Sequence, residues 1–500
     1  MDTLQYLMQG FGVALTPTNL MVAAIGALIG TIVGMLPGLG PINGVALLMP
    51  LAFALKLPAH TALILLTAVY IGCEFGGRIS SILLNVPGDA GAIMTAIDGH
   101  PMARTGRGGV ALSISAWASF VGSTIATAGI VLFAPLLARW ALAFGPAEYF
   151  ALMCFAFACI TGLMGSEPLK AVVAAALGLA LSTVGLDSNS GIYRFTGDNV
   201  HLSDGIQFIV VVIGLFSVSE ILVMLEHQAN TSGLIRTVGR VMFSSKEFML
   251  TGWTIIRSSV IGFVVGVLPG AGATIASAMA YSVEKRLNDK EGTFGTGDIR
   301  GVSAPEAANN ASANGSFIPM LTLGVPGSGT TAVMVGALSL YNITPGPALF
   351  TQQPELVWGL IASMFISNFL LLIINIPLVG VFTRLLLVPN WLLVPGILAI
   401  SAVGVYSIHA TTFDLLLMGV LGIIGFGLRK GGLPMAPLIL GFVLGDLMEQ
   451  NLRRALSITN GELSILWSSP ISIGLWAGVV VMLAGPPAYR RWSQRKLVMG

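Results

Sequence analysis

Apolar runs of membrane-spanning length alternate with short polar joints along almost the whole chain. A span needs about 20 predominantly apolar residues. That pattern predicts helices at 18–36, 61–74, 109–138, 148–165, 168–186 and 206–225, and again at 249–268, 355–383, 391–408, 411–428, 433–447 and 466–486. Segments 40–56, 76–98, 272–284 and 304–343 are also apolar but are interrupted by Gly, Pro and Asn. Backbone that leaves the helix inside a bilayer must be buried in protein or line a cavity. These four segments therefore predict half-helices or re-entrant hairpins. The start, MDTLQYLMQGFGV, has no basic n-region, so the first apolar run is expected to be retained.

The pattern repeats. GTIVGMLPGLGP (30–41) and GFVVGVLPGAGA (262–273) share seven of twelve residues at an offset of 232. GGRISSILLNVPG (76–88) and GSFIPMLTLGVPG (315–327) share six of thirteen at an offset of 239, the difference being absorbed by the polar loop 288–301. Two matches in the same order predict two homologous halves, 15–230 and 245–460, followed by a C-terminal span and basic tail, 461–500. Cytoplasmic loops are enriched in Lys and Arg. Arg104 and Arg107 have no basic counterpart in 341–355, whereas Arg429 and Lys430 answer a loop, 187–204, with one Arg and three Asp. Loop 227–246 and the tail RRWSQRK also read as cytoplasmic; Arg453 and Arg454 are exceptions on the outer side. Equivalent loops thus face opposite sides, as in an inverted-topology repeat with sites at discontinuous helices near the midplane. The expected fold is an all-α polytopic membrane protein of this kind.

Composition sharpens the class. Of 500 residues, 55% are apolar and 9% charged, with a mean hydropathy of +0.87. Soluble domains carry about 25% charged residues, so this chain belongs in a lipid bilayer. Its net charge of +2 gives no reason to expect nucleic acid. Three cysteines without a CxxC pair argue against structural zinc or a disulfide framework. Histidines 60, 100, 201, 227 and 409 show no metal spacing, and no catalytic constellation emerges, so no enzyme is expected. GVPGSGTT (324–331) approximates a phosphate loop, but Thr330 stands where the lysine belongs, which argues against nucleotide hydrolysis.

The candidate chemistry lies at the four breaks. A proline followed by glycines leaves carbonyls at one half-helix end and N–H groups at the other. Carbonyls can ligate Na⁺, and the positive end of a half-helix can hold a carboxylate. Gly38, Gly40 and Asn43, with Gly270, Gly272 and Thr274 in the second half, are the candidate ion ligands, joined by Asn309 and Asn310. Arg78, Ser80, Asn85 and Gly88 in one half are the candidate substrate contacts, with Ser316, Thr322, Gly327, Ser328, Thr330 and Thr331 in the other. No charged side chain lies between Glu306 and Glu355, so the small polar residues there either line a cavity or let helices pack closely. Arg78 lies four residues after Glu74, which allows an intrahelical ion pair or a bidentate fork for a substrate carboxylate. Asp89 suits either a cation ligand or a cap for the next half-helix.

At these motifs the chain resembles the large membrane subunit of bacterial tripartite tricarboxylate transporters. The matching stretches are GMLPGLGPINGVALLMPLAF, YIGCEFGGRISSILLNVPGD, DGHPMARTGRGGVAL, GVLPGAGATIASAMAYSVEK and APEAANNASANGSFIPMLTLGVPGSGTTAV, and the likeness extends over essentially the whole chain. The resemblance implies a permease of the bacterial inner membrane working with a small membrane subunit and a periplasmic solute-binding protein. It implies uptake of a di- or tricarboxylate driven by a cation gradient, Na⁺ or H⁺, with no other cofactor. An anion channel or a carboxylate/H⁺ symporter independent of a binding protein is the alternative. Arg78 stands where many relatives have a small polar residue, which leaves the carboxylate open.

Overall fold

A computed structural model describes residues 3–163, 167–187, 189–226, 239–270, 272–386 and 388–499. The chain is helical almost throughout. It opens with α1 (Thr3–Ala14), α2 (Pro17–Met35), α3 (Gly40–Ala54), α4 (Ala59–Leu84) and α5 (Ile93–Met102). The helices α6 (Gly108–Ala141), α7 (Pro146–Leu163) and α8 (Pro168–Ser182) follow. A two-residue hairpin, β1 (Gly185–Leu186) with β2 (Tyr193–Arg194), then leads to α9 (Phe208–Val212) and α10 (Ser219–Glu226), which are joined by a π-helical turn. The next helices are α11 (Ser245–Val267), α12 (Gly272–Asn288), α13 (Ile299–Gly315), α14 (Phe317–Leu323) and α15 (Gly329–Leu340). The chain closes with α16 (Leu349–Gln352), α17 (Pro354–Asn375), α18 (Val379–Leu385), α19 (Asn390–His409), α20 (Thr412–Lys430), α21 (Met435–Ile458) and α22 (Pro470–Met499). Among the described residues eight helical segments are long and apolar enough to cross a membrane, so this is an all-α polytopic membrane protein.

The core is made by two helix pairs built alike. Helix α2 runs parallel to α4 at a separation only small residues permit: a Cβ added at Gly34 would lie 2.1 Å from the Cys73 carbonyl oxygen. Helix α11 runs parallel to α13 in the same way, and a Cβ at Gly266, offset from Gly34 by 232, would lie 2.3 Å from the Ser312 oxygen. Helix α4 then packs on α17, and α13 on α6. Close approach through small residues is how helices associate where lipid removes the hydrophobic drive between them.

Three expectations need correction. Segments 61–74 and 76–98 do not divide at Gly76: α4 continues through Gly76 and Gly77 to Leu84, because both glycines are held against neighbouring backbone or the Asp89 side chain. Segment 355–383 is two helices, since Pro377 ends α17. Helix α1, not expected as an element, packs on α17 through Gly10 and Tyr6, which stacks on Trp358. Residues 227–238 of the basic loop, Arg236 among them, and the side chains of the C-terminal basic tail lie outside the described residues.

Two faces emerge. Arg107 and Arg240 both pair with Glu247 on one of them, the basic face (3.0 and 2.8 Å). Helix α20 leads to that face from Thr412, beside loop 184–206, to Arg429 and Lys430, which pair with Glu220 and Glu226. The opposite face carries loops 184–206 and 341–348, between which a cavity of about 1110 Å³ opens, lined by Asp204, Gly324, Gly336, Ser339, Asn342 and Asp446. Arg453, an exception in the charge pattern, lies at this cavity face, where Asp187 and Glu449 offset its charge (3.2 and 2.6 Å).

Candidate functional site

The four breaks come together in two pairs, Gly40 beside Asp89 and Gly270 against Gly327, and proline sets each. A residue before proline is driven out of the helical region: Leu36 before Pro37 has ψ 118°, and Leu268 before Pro269 has ψ 123°. Gly38 (φ 89°) and Gly40 (φ 60°), like Gly270 (φ 76°) and Gly272 (φ 67°), then turn the chain back through the left-handed region. The other two breaks also match. Helix α4 ends on Asn85 (φ 57°) and α14 on Gly324 (φ 71°), both left-handed caps, and a Val-Pro-Gly run returns toward the interior. There Gly88 approaches Gly77, its N–H donating to the Gly77 carbonyl at 3.3 Å, while Gly327 approaches Ser316 and accepts from Gly270 N–H at 2.9 Å. Helix α5 leaves the first tip toward the basic face, whereas α15 leaves the second toward the cavity face.

The second tip is made of hydroxyls. Ser328 caps α15, accepting from Thr331 N–H (3.1 Å), while Thr331 Oγ1 accepts from Ser328 N–H (2.8 Å). The Tyr70 hydroxyl reaches from α4 to Ser328 Oγ (3.2 Å) and Ser316 Oγ (3.4 Å), with its ring stacked on Phe317. Thr330 is buried beside them. The chemistry is that of a capped helix start with neutral donors around it, a site suited to an anion.

Acidic groups surround the first tip. Asp89 Oδ1 accepts from Ala92 N–H (2.8 Å), capping the turn before α5, and Asp89 Oδ2 is buried with no partner. Asn309, from α13, donates Nδ2 to Glu74 Oε2 (2.9 Å), and its Oδ1, turned toward Gly91, has no partner either. Glu306, fully buried, accepts from Thr95 (2.6 Å) and Ser119 (3.0 Å). Asn310 donates to Ser119 (2.9 Å), tying α13 to α6. Toward the basic face, Asp98 Oδ1 accepts the N–H groups of Gly295, Gly297 and Asp298, each at 2.8 Å, and Tyr281 donates to Oδ2 (2.9 Å). This carboxylate clasps loop 288–301 to α5.

Arg78 reaches beyond its own helix. It forms no ion pair with Glu74; its guanidinium donates to the Leu112 carbonyl (2.7 Å), Ser115 Oγ (2.9 Å) and Asn375 Oδ1 (3.1 Å). Those acceptors come from α6 and α17, so Arg78 ties α4 to both while Glu74 engages Asn309. Of the other candidates, Gly88, Ser316, Gly327, Ser328, Thr330 and Thr331 gather at the tips, with Gly40 and Asn309 beside the first. Asn85 is exposed at the end of α4, eight residues or about 12 Å of helix beyond Gly77. Ser80 and Thr322 are buried but bond carbonyls of their own helices. Asn43 does the same through Nδ2 to Leu39, and Thr274 is exposed on α12. Gly38 faces Glu220, which Arg429 holds, and Gly270 faces Ile160, while Gly272 has open space around it.

Tyr70 and Glu74 were missed as tip residues, and Glu306 was missed beside them. One signal was available for Tyr70: the offset of 239 that aligns the two tips also aligns Tyr70 with Asn309 and Asp89 with Ser328. The structure pairs them crosswise, Tyr70 with Ser328 and Asn309 with the loop that bears Asp89.

Comparison with known proteins bears on this arrangement. The sequence profile of the tripartite tricarboxylate transporter TctA family matches residues 20–440. An uncharacterized 52.8 kDa protein from the TAR-I ttuC′ 3′ region of Agrobacterium vitis is 43% identical over 477 residues, 95% of each chain. A second protein of that organism, from the TAR-II ttuC′ 3′ region, is 48% identical over 231 residues, which is 46% of this chain and 96% of its own. No solved structure matches.

Proposed function

Because the chain belongs to the tripartite tricarboxylate transporter TctA family, a family of transporters, we propose that it is the membrane permease for cation-driven uptake of a di- or tricarboxylate. The observation that carries this reading is the hydroxyl tip, where Ser328, Thr330, Thr331 and Tyr70 surround a capped helix start without a negative charge among them. A carboxylate held there by N–H groups and neutral hydroxyls is bound firmly enough to be selected and loosely enough to be released. The energetics demand coupling. An inside-negative potential opposes anion entry by about 2.3 kcal/mol per charge per 100 mV, so a trianion meets roughly 7 kcal/mol per 100 mV. Co-transport of Na⁺ or H⁺ in excess of the substrate charge reverses that sign, which a channel does not do.

In this reading the halves 15–230 and 245–460 are inverted repeats, and the chain sits in the bacterial inner membrane with its C-terminus in the cytoplasm. The matched break geometry and the opposite exits of α5 and α15 support the repeat. The cavity face receives substrate from a periplasmic binding protein, and a small membrane subunit completes the transporter. Asp98 keeps the basic face closed while the cavity face is open; alternating access requires that clasp to loosen.

The test is uptake in proteoliposomes supplied with the binding protein. Accumulation against a gradient is expected to require an inward cation gradient and to collapse with ionophore; accumulation without one would overturn the reading. Cysteines placed at Thr105 and Thr351, both exposed, are expected to label from opposite sides of the membrane. Labelling from the same side would overturn the inverted arrangement.

A further inference from the structure

The two tips share a backbone and a plan of contacts, yet only one of them leaves buried side-chain oxygens without a donor. At the hydroxyl tip Tyr70 and Ser328 each offer both a donor and an acceptor, and they meet at 3.2 Å. At the acid tip the equivalent residues, Asn309 and Asp89, leave only acceptors. Asn309 must turn Nδ2 toward the Glu74 carboxylate, so its oxygen is the atom left facing the loop 88–92. Asp89 Oδ2 is likewise buried and without a donor. Each oxygen lies where a glycine lacks a side chain: a Cβ at Gly91 would lie 2.0 Å from Asn309 Oδ1, and one at Gly77 would lie 2.5 Å from Asp89 Oδ2. Arg78 is the cation nearest this cluster and its charge acts on Glu306, while its guanidinium donates to neutral acceptors on α6 and α17. Asp89 and Glu74 have no ion pair of their own among the described residues. A buried acceptor without a donor is costly, and an uncompensated buried charge is more so.

We propose that the acid tip is a binding site for a monovalent metal cation of the Na⁺ type, with Asp89 Oδ2 and Asn309 Oδ1 as side-chain ligands and Glu74 as the second charge that holds Asn309 in place. Oxygen-only donors select hard cations, and an amide oxygen joined to a carboxylate suits a single positive charge better than a site built of several carboxylates. The site is carried by geometry; it deepens the transport reading above and rests on it only for the claim that this cation drives uptake.

The experiment is Na⁺ binding to the purified full-length chain, read as radiolabelled Na⁺ retention and as the shift of thermal unfolding when NaCl replaces choline chloride. The wild type is expected to show saturable binding. Asp89→Asn, which keeps an oxygen to cap Ala92, is expected to weaken it by at least about tenfold, since ligand charge sets affinity in such sites. Asn309→Ala is expected to weaken it as well, and Ser328→Ala at the other tip to leave it unchanged. Binding that survives in both Asp89→Asn and Asn309→Ala would overturn the site, whatever drives uptake. A transition that ignores Na⁺ but responds to pH only while Asp89 is present would replace the metal ion with a proton and overturn the assignment. Uptake that needs no cation, with Na⁺ still binding at Asp89, would overturn the transport reading and leave the site standing.

Discussion

The tips at Gly88 and Gly327 follow the same backbone course with opposite chemistry. Each begins at a left-handed cap, re-enters through Val-Pro-Gly, and closes with a side chain that accepts the N–H three residues on: Asp89 from Ala92, Ser328 from Thr331. Each is met by a side chain from a helix remote in sequence, Tyr70 of α4 at one and Asn309 of α13 at the other. Yet one tip gathers Asp89, Glu74 and Asn309, and the other Ser328, Thr330, Thr331, Ser316 and Tyr70. One backbone course thus carries two sets of side chains, one acidic and the other made of hydroxyls. On the proposed reading the first tip takes the cation and the second the carboxylate.

Substitutions that blur this division are expected to have the largest effects. Asp89→Asn removes the charge from the acid tip and should abolish cation-driven accumulation while the protein still inserts; accumulation at the wild-type level would break the comparison. Next comes Arg78→Ala, which strips three acceptors of a charged donor. At about 1.5 kcal/mol or more for each such bond, the expected result is loss of folded protein, measured as a lower unfolding temperature rather than a changed substrate affinity. Thr330→Ala and Tyr70→Phe at the hydroxyl tip should each raise the half-saturating carboxylate concentration by about ten- to a hundredfold, the equivalent of one hydrogen bond to a charged ligand at roughly 1.5–3 kcal/mol. The smallest effect is expected at Asn85. It stands about 12 Å along the helix from the tip, so Asn85→Ala should leave half-saturation within about twofold, and a larger change would mean the substrate passes or rests near the end of α4.

Much of the frame was legible because proline acts locally. Pro37, Pro87, Pro269 and Pro326 each dictate the conformation of the residue before them, so the four breaks and their pairing could be read from letters alone. Other features depend on tertiary neighbours. Gly76 and Gly77 read as a break but lie mid-helix, since their lack of side chain serves the packing of α2 and of the Asp89 loop. Arg78 offered a pairing with Glu74 in its own segment or with a substrate carboxylate, and it takes acceptors from α6 and α17, up to 297 residues away. Asn85 and Thr274 had suitable chemistry beside suitable motifs, but helix geometry carries both to the exterior. The crosswise pairing of Tyr70 with Ser328 was implicit in the repeat and required only that the alignment be extended six residues upstream of Gly76.

The division of labour between the tips is tested most directly by measuring two half-saturation constants in each of two variants. Uptake into proteoliposomes is recorded against carboxylate at saturating cation, and against cation at saturating carboxylate, which removes the linkage between the two ligands. Ser328→Ala is expected to raise the carboxylate constant and leave the cation constant alone, and Asn309→Ala to do the opposite. Two variants that raise both constants alike would contradict the account, because the tips would then form one shared site.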